Sequence, residues 1–395
     1  MSTPEPLVER YLRLGLRLGR HVDGLVDAYY GPPELAAGVE AEAPVEPARL
    51  AAEATSLDAD LAAGDLAGER REWLRDQARG LETYARILAG DVVSYADEIE
   101  GCYGIRPGRA DEGSLAAAQA RLDDLLPGDG PLAARYTAWR NGQVVPSDRV
   151  ERLLGEVVAA LRAWTGELVE LPDGESVEIE SVTNEPWTAF NYYRGGLASR
   201  IAVNRDLPIS AMLLLELAAH ETYPGHHTEH ACKEQRLVRS LGRLEESILL
   251  VPTPQSLVSE GIAEVGADLA LDGPARGSLE SILREVLPAF ELDHALAVVR
   301  AHDQLAGASV NAALMLHADG CTEAAAVDYL MDWLLHDCER AVKSVSFLTD
   351  PTWRAYAITY VEGARLCSAF VDGDTRAFAR LLTEPVRVHD LLAAA

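Results

Sequence analysis

The stretch LLLELAAHETYPGHHTEH, Leu213 to His230, sets a proline and a glycine inside a leucine-rich helical run. That pair constrains the chain more than any other feature. A proline within a helix loses an amide donor, and its ring collides with the carbonyl four residues back, here that of His220. Gly225 supplies the backbone freedom to turn. The helix must therefore bend or end at Pro224, and the residues beyond it can fold back. Four of the ten histidines lie between His220 and His230, and Glu221 directly follows the first.

Around this break the sequence reads as mostly helical. Aromatic residues are only 6% and β-branched runs are few, which favours helix. Apolar residues recur at spacings of three and four from Leu7 to about Ala28, the mark of an amphipathic helix, before a Gly-Pro-Pro stop. Similar stretches predict helices near 46–66, 69–99 and 147–168, with a PGDGP turn at 127–131. At about 172 the texture changes. PDGESVEIESV alternates polar and apolar residues, a strand signal, and LASRIAVN is a second strand-like run. RDLPIS then starts the helix from about Ile209 that carries His220 and Glu221. Further helices are expected at 232–250, 256–271, 278–316, 322–346, 351–371 and 374–383. The expectation is a mostly α, large helical fold with a small β element before the histidine helix. Residues 1–171 form a helical region and 172–395 a region of sheet, histidine helix and C-terminal helices, as two units or one continuous two-lobed domain.

The 63 acidic and 35 basic residues leave a formal net charge of −28. A surface so negative repels phosphate backbones and anionic lipid heads, which argues against nucleic-acid and membrane partners. The N-terminal stretch lacks the apolar centre of a signal peptide, and no window reaches the ~18 apolar residues of a membrane span. Five scattered cysteines without a C-x-x-C pair fit reduced thiols, and a cytoplasmic setting is expected.

A His-Glu pair on a helix with a second histidine further on is the skeleton of a zinc hydrolase site, two imidazoles holding the metal and the glutamate activating water. In the common H-E-x-x-H form the second histidine follows by four residues; Pro224 stands there instead. The break lets His226 or His227 fold back toward His220. A carboxylate is needed to complete the set. SLVSEGIAEVGADLA offers Glu260, Glu264 and Asp268 on one helical face. A solvated acidic stripe is the bland alternative. Gly261 allows another element to approach Glu260 closely.

Three motifs carry a resemblance: HETYPGHH (220–227), EGIAEVGAD (260–268) and, more weakly, YVEGARL (360–366). Together they resemble the DUF885 proteins, zinc metallopeptidases of the gluzincin kind, over roughly residues 180–370. The second motif departs from the family pattern, with Ile262 in place of Trp and Val265 in place of Tyr. The resemblance implies a zincin-like fold and one zinc per chain held by His220, His226 and Glu260, with Glu221 as general base. His227 and Glu264 are the alternates, and His230 is expected on a helix surface.

The activity expected is hydrolysis of short peptides. A zinc hydrolase of another amide or ester, or a helical binding protein with a structural or vestigial metal site, are the alternatives. A donor to the developing oxyanion is also needed. Tyr360 is the first choice; Tyr193, Tyr356 and His317 are rivals. The run NYYRGGLASRIAVN is suited to pairing with an extended substrate. Tyr193, Arg200 and Asn204 are expected to contact substrate, and Arg194 and Arg205 are further candidates for binding a carboxylate. The partner implied is a small molecule or short peptide.

Overall fold

The computed structural model describes residues 5–185 and 187–395. The chain is mostly helical with two small sheets. Its strands are β1 (Val26–Tyr29), β2 (Ser176–Val182), β3 (Ala189–Tyr193), β4 (Ala198–Asn204) and β5 (Ile248–Leu250). β1 pairs antiparallel with β5. The other sheet has the order β2-β4-β3, with β4 parallel to β2 and antiparallel to β3. β3 is thus an edge strand, and it reaches the end of the histidine helix through Asn191.

Local chemistry explains the elements around the break. Ser210 caps the histidine helix, Ala211–Glu221, by accepting from the Leu213 amide at 3.3 Å. That helix ends at Glu221, and a second one, His226–Lys233, begins directly after Gly225. A Cβ on Gly225 would lie 1.9 Å from the His220 carbonyl oxygen, so only glycine lets the chain pass there. The third element is the glutamate helix, Pro254–Asp272, with proline in its first turn where a missing amide is tolerated.

The glutamate helix lies against the helix Ala357–Val371 at unusually short range. A Cβ on Gly261 would stand 2.3 Å from the Gly363 carbonyl oxygen, and one on Gly363 would stand 2.5 Å from that of Leu257. Two glycines facing each other allow the backbones to touch. This contact brings Tyr356 and Tyr360 up to Glu260.

Several expected helices are shorter than their apolar spacing suggests. The run from Leu7 is helical only over Pro6–Gly19; Gly24, at φ +80°, turns the chain and residues 26–29 become β1. The expected 69–99 helix is two, Gly68–Leu88 and Tyr95–Tyr103, separated at Gly90 (φ +92°) and capped anew by Ser94. The expected 278–316 helix is three: Arg276–Arg284, Leu292–Asp303 and Gly307–His317. Leu335, at φ +57°, divides 322–346 into Glu323–Leu334 and Cys338–Thr349. Residues 232–250 pass from helix through a π-helical turn, Glu234–Ser240, into β5. A last helix, Val388–Ala394, was not expected.

One apolar cluster runs from Val8 to Leu391 and takes helices from both sides of residue 171. A second gathers residues between Val145 and Leu296 around the buried face of the histidine helix. Among the described residues no helix is long and apolar enough to cross a membrane. All five cysteines are free.

Candidate metal centre

The turn at Pro224-Gly225 brings His226 beside His220, with ring centroids 4.7 Å apart and the planes nearly perpendicular. Both Nε2 atoms face Glu260. His220 Nε2 lies 3.5 Å from Oε2, and His226 Nε2 lies 3.6 Å from Oε1. Donors held tetrahedrally at about 2.1 Å from a zinc ion stand about 3.4 Å from one another. The spacing is therefore wide for a hydrogen bond and right for a shared cation. Glu260 Oε2 is buried with no hydrogen-bond partner, an orphaned acceptor of the kind a cation satisfies. His220, His226 and Glu260 form a donor group with all ligand atoms within 4.8 Å of one another. By donor chemistry and spacing, the residues fit a zinc ion.

The rest of the shell holds these donors in place. His220 Nδ1 faces Glu264 Oε1 at 3.5 Å, and His226 Nδ1 is 3.2 Å from Ser259 Oγ. Ser259 donates to Glu229 at 2.6 Å, and Lys233 donates to the same carboxylate at 2.6 Å. The Tyr356 hydroxyl donates to Glu260 Oε1. Imidazoles oriented through their second nitrogen are the usual support of metal ligands. Glu264 thus stands behind His220 rather than beside Glu260.

The electrostatics agree with a place made for positive charge. Burial alone would lower His220, but Glu260, Glu264 and Glu221 outweigh it and carry the imidazole up to about 10. Burial would raise Glu260, yet His226, His220 and Tyr356 bring it down to about 2. One turn before His220, burial raises Glu216 to about 8, with Asp303, Glu264 and Asp268 adding to the effect.

These donors open onto a cavity of about 800 Å³. Its wall includes Glu221, His230, Tyr356 and Tyr360, the edge-strand residues Phe190, Asn191 and Tyr192, and Asp27 from β1. Asn191 donates to the Glu221 carbonyl at 2.7 Å, tying β3 to the end of the histidine helix. Tyr360 packs edge-on against Tyr356 at 5.6 Å and is 38% exposed, toward the cavity.

Other expected site residues serve the scaffold. His227 is fully buried and points away from His220, bonded to Ser199 at 2.9 Å and to Glu175 at 2.8 Å. Tyr223 donates to the same carboxylate and Arg162 pairs with it at 2.6 Å, which locks the far side of the turn. Tyr193 donates to Glu234, Arg200 pairs with Glu180 across the sheet, and Arg194 pairs with Glu178. Asn204 holds the carbonyls of Glu185 and Trp187. None of Tyr193, Arg200 and Asn204 lines the cavity, a correction to the substrate contacts expected of them. Of that sheet, β3 meets the space, through Ala189, Phe190, Asn191 and Tyr192. His317 bonds the Leu348 carbonyl at 2.7 Å, away from the cavity. His230, expected on a surface, is buried and stacks on His226 at 5.9 Å.

Together, fold and site define a mostly helical protein with a His-His-Glu donor group at the wall of a large cavity. No protein-family model matches the chain, and no curated protein does. Among solved structures it is similar to the "putative lipoprotein from Colwellia psychrerythraea", with a TM-score of 0.57 at 15% identity over 87% of this chain and 65% of that one. It is also similar to a "putative lipoprotein of unknown function from Shewanella oneidensis", with a TM-score of 0.51 at 12% identity over 87% of this chain and 72% of that one. At such identities the likeness is one of fold. The chain spans a little under two thirds of the length of the first neighbour.

Proposed function

We propose that this protein is a zinc-dependent hydrolase of short peptides, a distant relative of the DUF885 gluzincins, with His220, His226 and Glu260 as the metal ligands. One observation carries the reading: two imidazole nitrogens face a buried carboxylate at 3.5 and 3.6 Å, and that carboxylate keeps one oxygen without a hydrogen bond. Zinc in such a site polarises a carbonyl and makes a water acidic enough to lose its proton near neutral pH. Glu221, on the cavity wall one residue after the first ligand, accepts that proton and returns it to the leaving nitrogen. Tyr360 donates to the carbonyl oxygen as charge develops on it. Tyr356, Glu264 and Ser259 fix the ligands.

A peptide is favoured over other amides by the edge of β3. An extended substrate can add to that edge through main-chain hydrogen bonds while its side chains fill the cavity beside Phe190 and Tyr192. A cavity of about 800 Å³ suits a few residues and excludes a folded protein. Two cellular settings are proposed: the cytoplasm, which the free cysteines favour, and a membrane surface, by analogy with the neighbours described as putative lipoproteins. Cell fractionation separates these.

The test is hydrolysis of a mixed library of short peptides by the unaltered protein and by Glu221→Gln. Cleavage that falls by about a thousandfold or more in the variant while its zinc content stays equal supports the reading. Equal cleavage by both proteins, or none by either with zinc bound, overturns it.

A further inference from the structure

Asp27 has no role in the chemistry above, yet it stands on the wall of the same cavity. It sits on β1 at the irregularity between Val26 and Ala28, where the pairing with β5 skips a residue. Its carboxylate makes no hydrogen bond or ion pair with any described residue. The cavity's other acids are engaged. Glu260 faces the two histidines, Glu221 is the proposed base, and Asp350 accepts from the amides of Thr352 and Trp353 at 2.8 and 3.2 Å. Asp27 faces the space without a hydrogen-bond or ion-pair partner among the described residues; the basic groups on the same wall are Lys343, which is itself engaged, and the histidines around Glu260.

The surroundings select the charge of its partner. Trp353 lies over the turn that precedes β1, since a Cβ on Gly24 would be 3.5 Å from its ring. Trp353 meets Tyr356 edge-on at 5.6 Å and stacks on Phe347 at 6.4 Å, and all three line the cavity. A carboxylate that shares a cavity wall with aromatic rings can receive an ammonium group, through a charged hydrogen bond and cation–π attraction. The same pair repels a carboxylate. Desolvation at the cavity wall raises Asp27 to about 6, with His226 opposing the rise and Glu260 and Glu221 adding to it.

We propose that Asp27 is a specificity-determining residue that captures a primary ammonium group of the substrate beside Trp353. The proposal rests on the hydrolase reading and narrows its substrate to peptides bearing such a group within the cavity. Two sources share this chemistry, the free amino terminus and a lysine side chain. The terminus is the one every short peptide offers.

The experiment compares four sets of short peptides, with free or acetylated amino termini and with or without lysine. For each, kcat/KM is measured with the unaltered protein, Asp27→Asn and Asp27→Glu, and affinity is measured with Glu221→Gln alone and combined with Asp27→Asn. A charged hydrogen bond of this kind predicts a preference of about tenfold or more for the free terminus, carried mainly by KM. In Asp27→Asn that preference collapses to about twofold or less, the affinities follow the same order, and Asp27→Glu restores part of it. A preference that instead tracks lysine and collapses in the same variant keeps the ammonium site and reassigns its occupant. An unchanged preference in Asp27→Asn, with zinc content and peptide cleavage intact, overturns the proposal and leaves the hydrolase standing. Absence of any Glu221-dependent cleavage removes both.

Discussion

His220, His226, His227 and His230 are four residues of one kind within one turn of chain, and the structure gives each a different neighbourhood. His220 and His226 face Glu260, His227 faces Glu175, and His230 stacks behind His226. The His227 side can be tested by stability. Burial would raise Glu175, but His227, Tyr223 and Arg162 outweigh it and hold it at about 2. A carboxylate lowered on folding adds stability above its unfolded pKa, and that stability is lost as pH falls through the folded value. Glu175→Gln is therefore expected to lose about 3 kcal/mol at neutral pH, measured by denaturant unfolding. The loss shrinks as pH drops below about 4, toward 2; a pH-independent loss contradicts the charge argument. At this scale the sequence was legible where spacing is local. The His-Glu pair and Glu260 follow from helical periodicity and from motif. Glu175, Ser259 and Tyr356 come from distant segments, and no local pattern announces them. Asp27 was hidden because its strand read as the tail of a helix.

Two backbone contacts carry the site at the level of elements: the turn at Gly225 and the crossing of Gly261 with Gly363. Both are places where a methyl group has no room. Gly225→Ala puts a Cβ against the carbonyls of His220 and Ala219, at 1.9 and 2.5 Å. The expected cost is about 3 kcal/mol or more, together with weakened zinc binding, because the turn that joins the two ligand helices must open. Gly363→Ala is expected to cost about 2 kcal/mol, and to lower peptide hydrolysis by moving Tyr356 and Tyr360 from Glu260. Thermal unfolding with zinc titration checks both; a variant of normal stability and affinity refutes the close packing. The break at Pro224 and the strands after residue 172 could be read from the sequence because proline, glycine and alternation act locally. The division of long apolar runs into separate helices could not, since Leu335 takes a left-handed conformation under tertiary constraint rather than by its own preference.

At the scale of the molecule, one apolar cluster ties the N-terminal helices to the glutamate helix and the C-terminal helices that carry the tyrosines. Strands of the two sheets and five helices among the described residues then line a cavity on the donor group. Composition pointed to a helical body, but the enclosure arises from which faces meet, and that is settled only in three dimensions. An ion bound to the folded chain alone should stabilise all of it: at a hundredfold excess over Kd the gain is about 2.7 kcal/mol, so a chelator should lower the melting temperature by a few degrees. Acid should do the same, because the imidazoles and Glu260 must be deprotonated to hold the ion. The proposed site stands or falls with the ion, which X-ray absorption at the zinc edge detects together with its ligands when metal content is measured on the same sample. One zinc per chain ligated by two imidazoles and oxygen is expected, with loss of that signal in both His220→Ala and Glu260→Ala. A protein that takes up no zinc when supplied with it, or one that keeps the same spectrum in those variants, would contradict it.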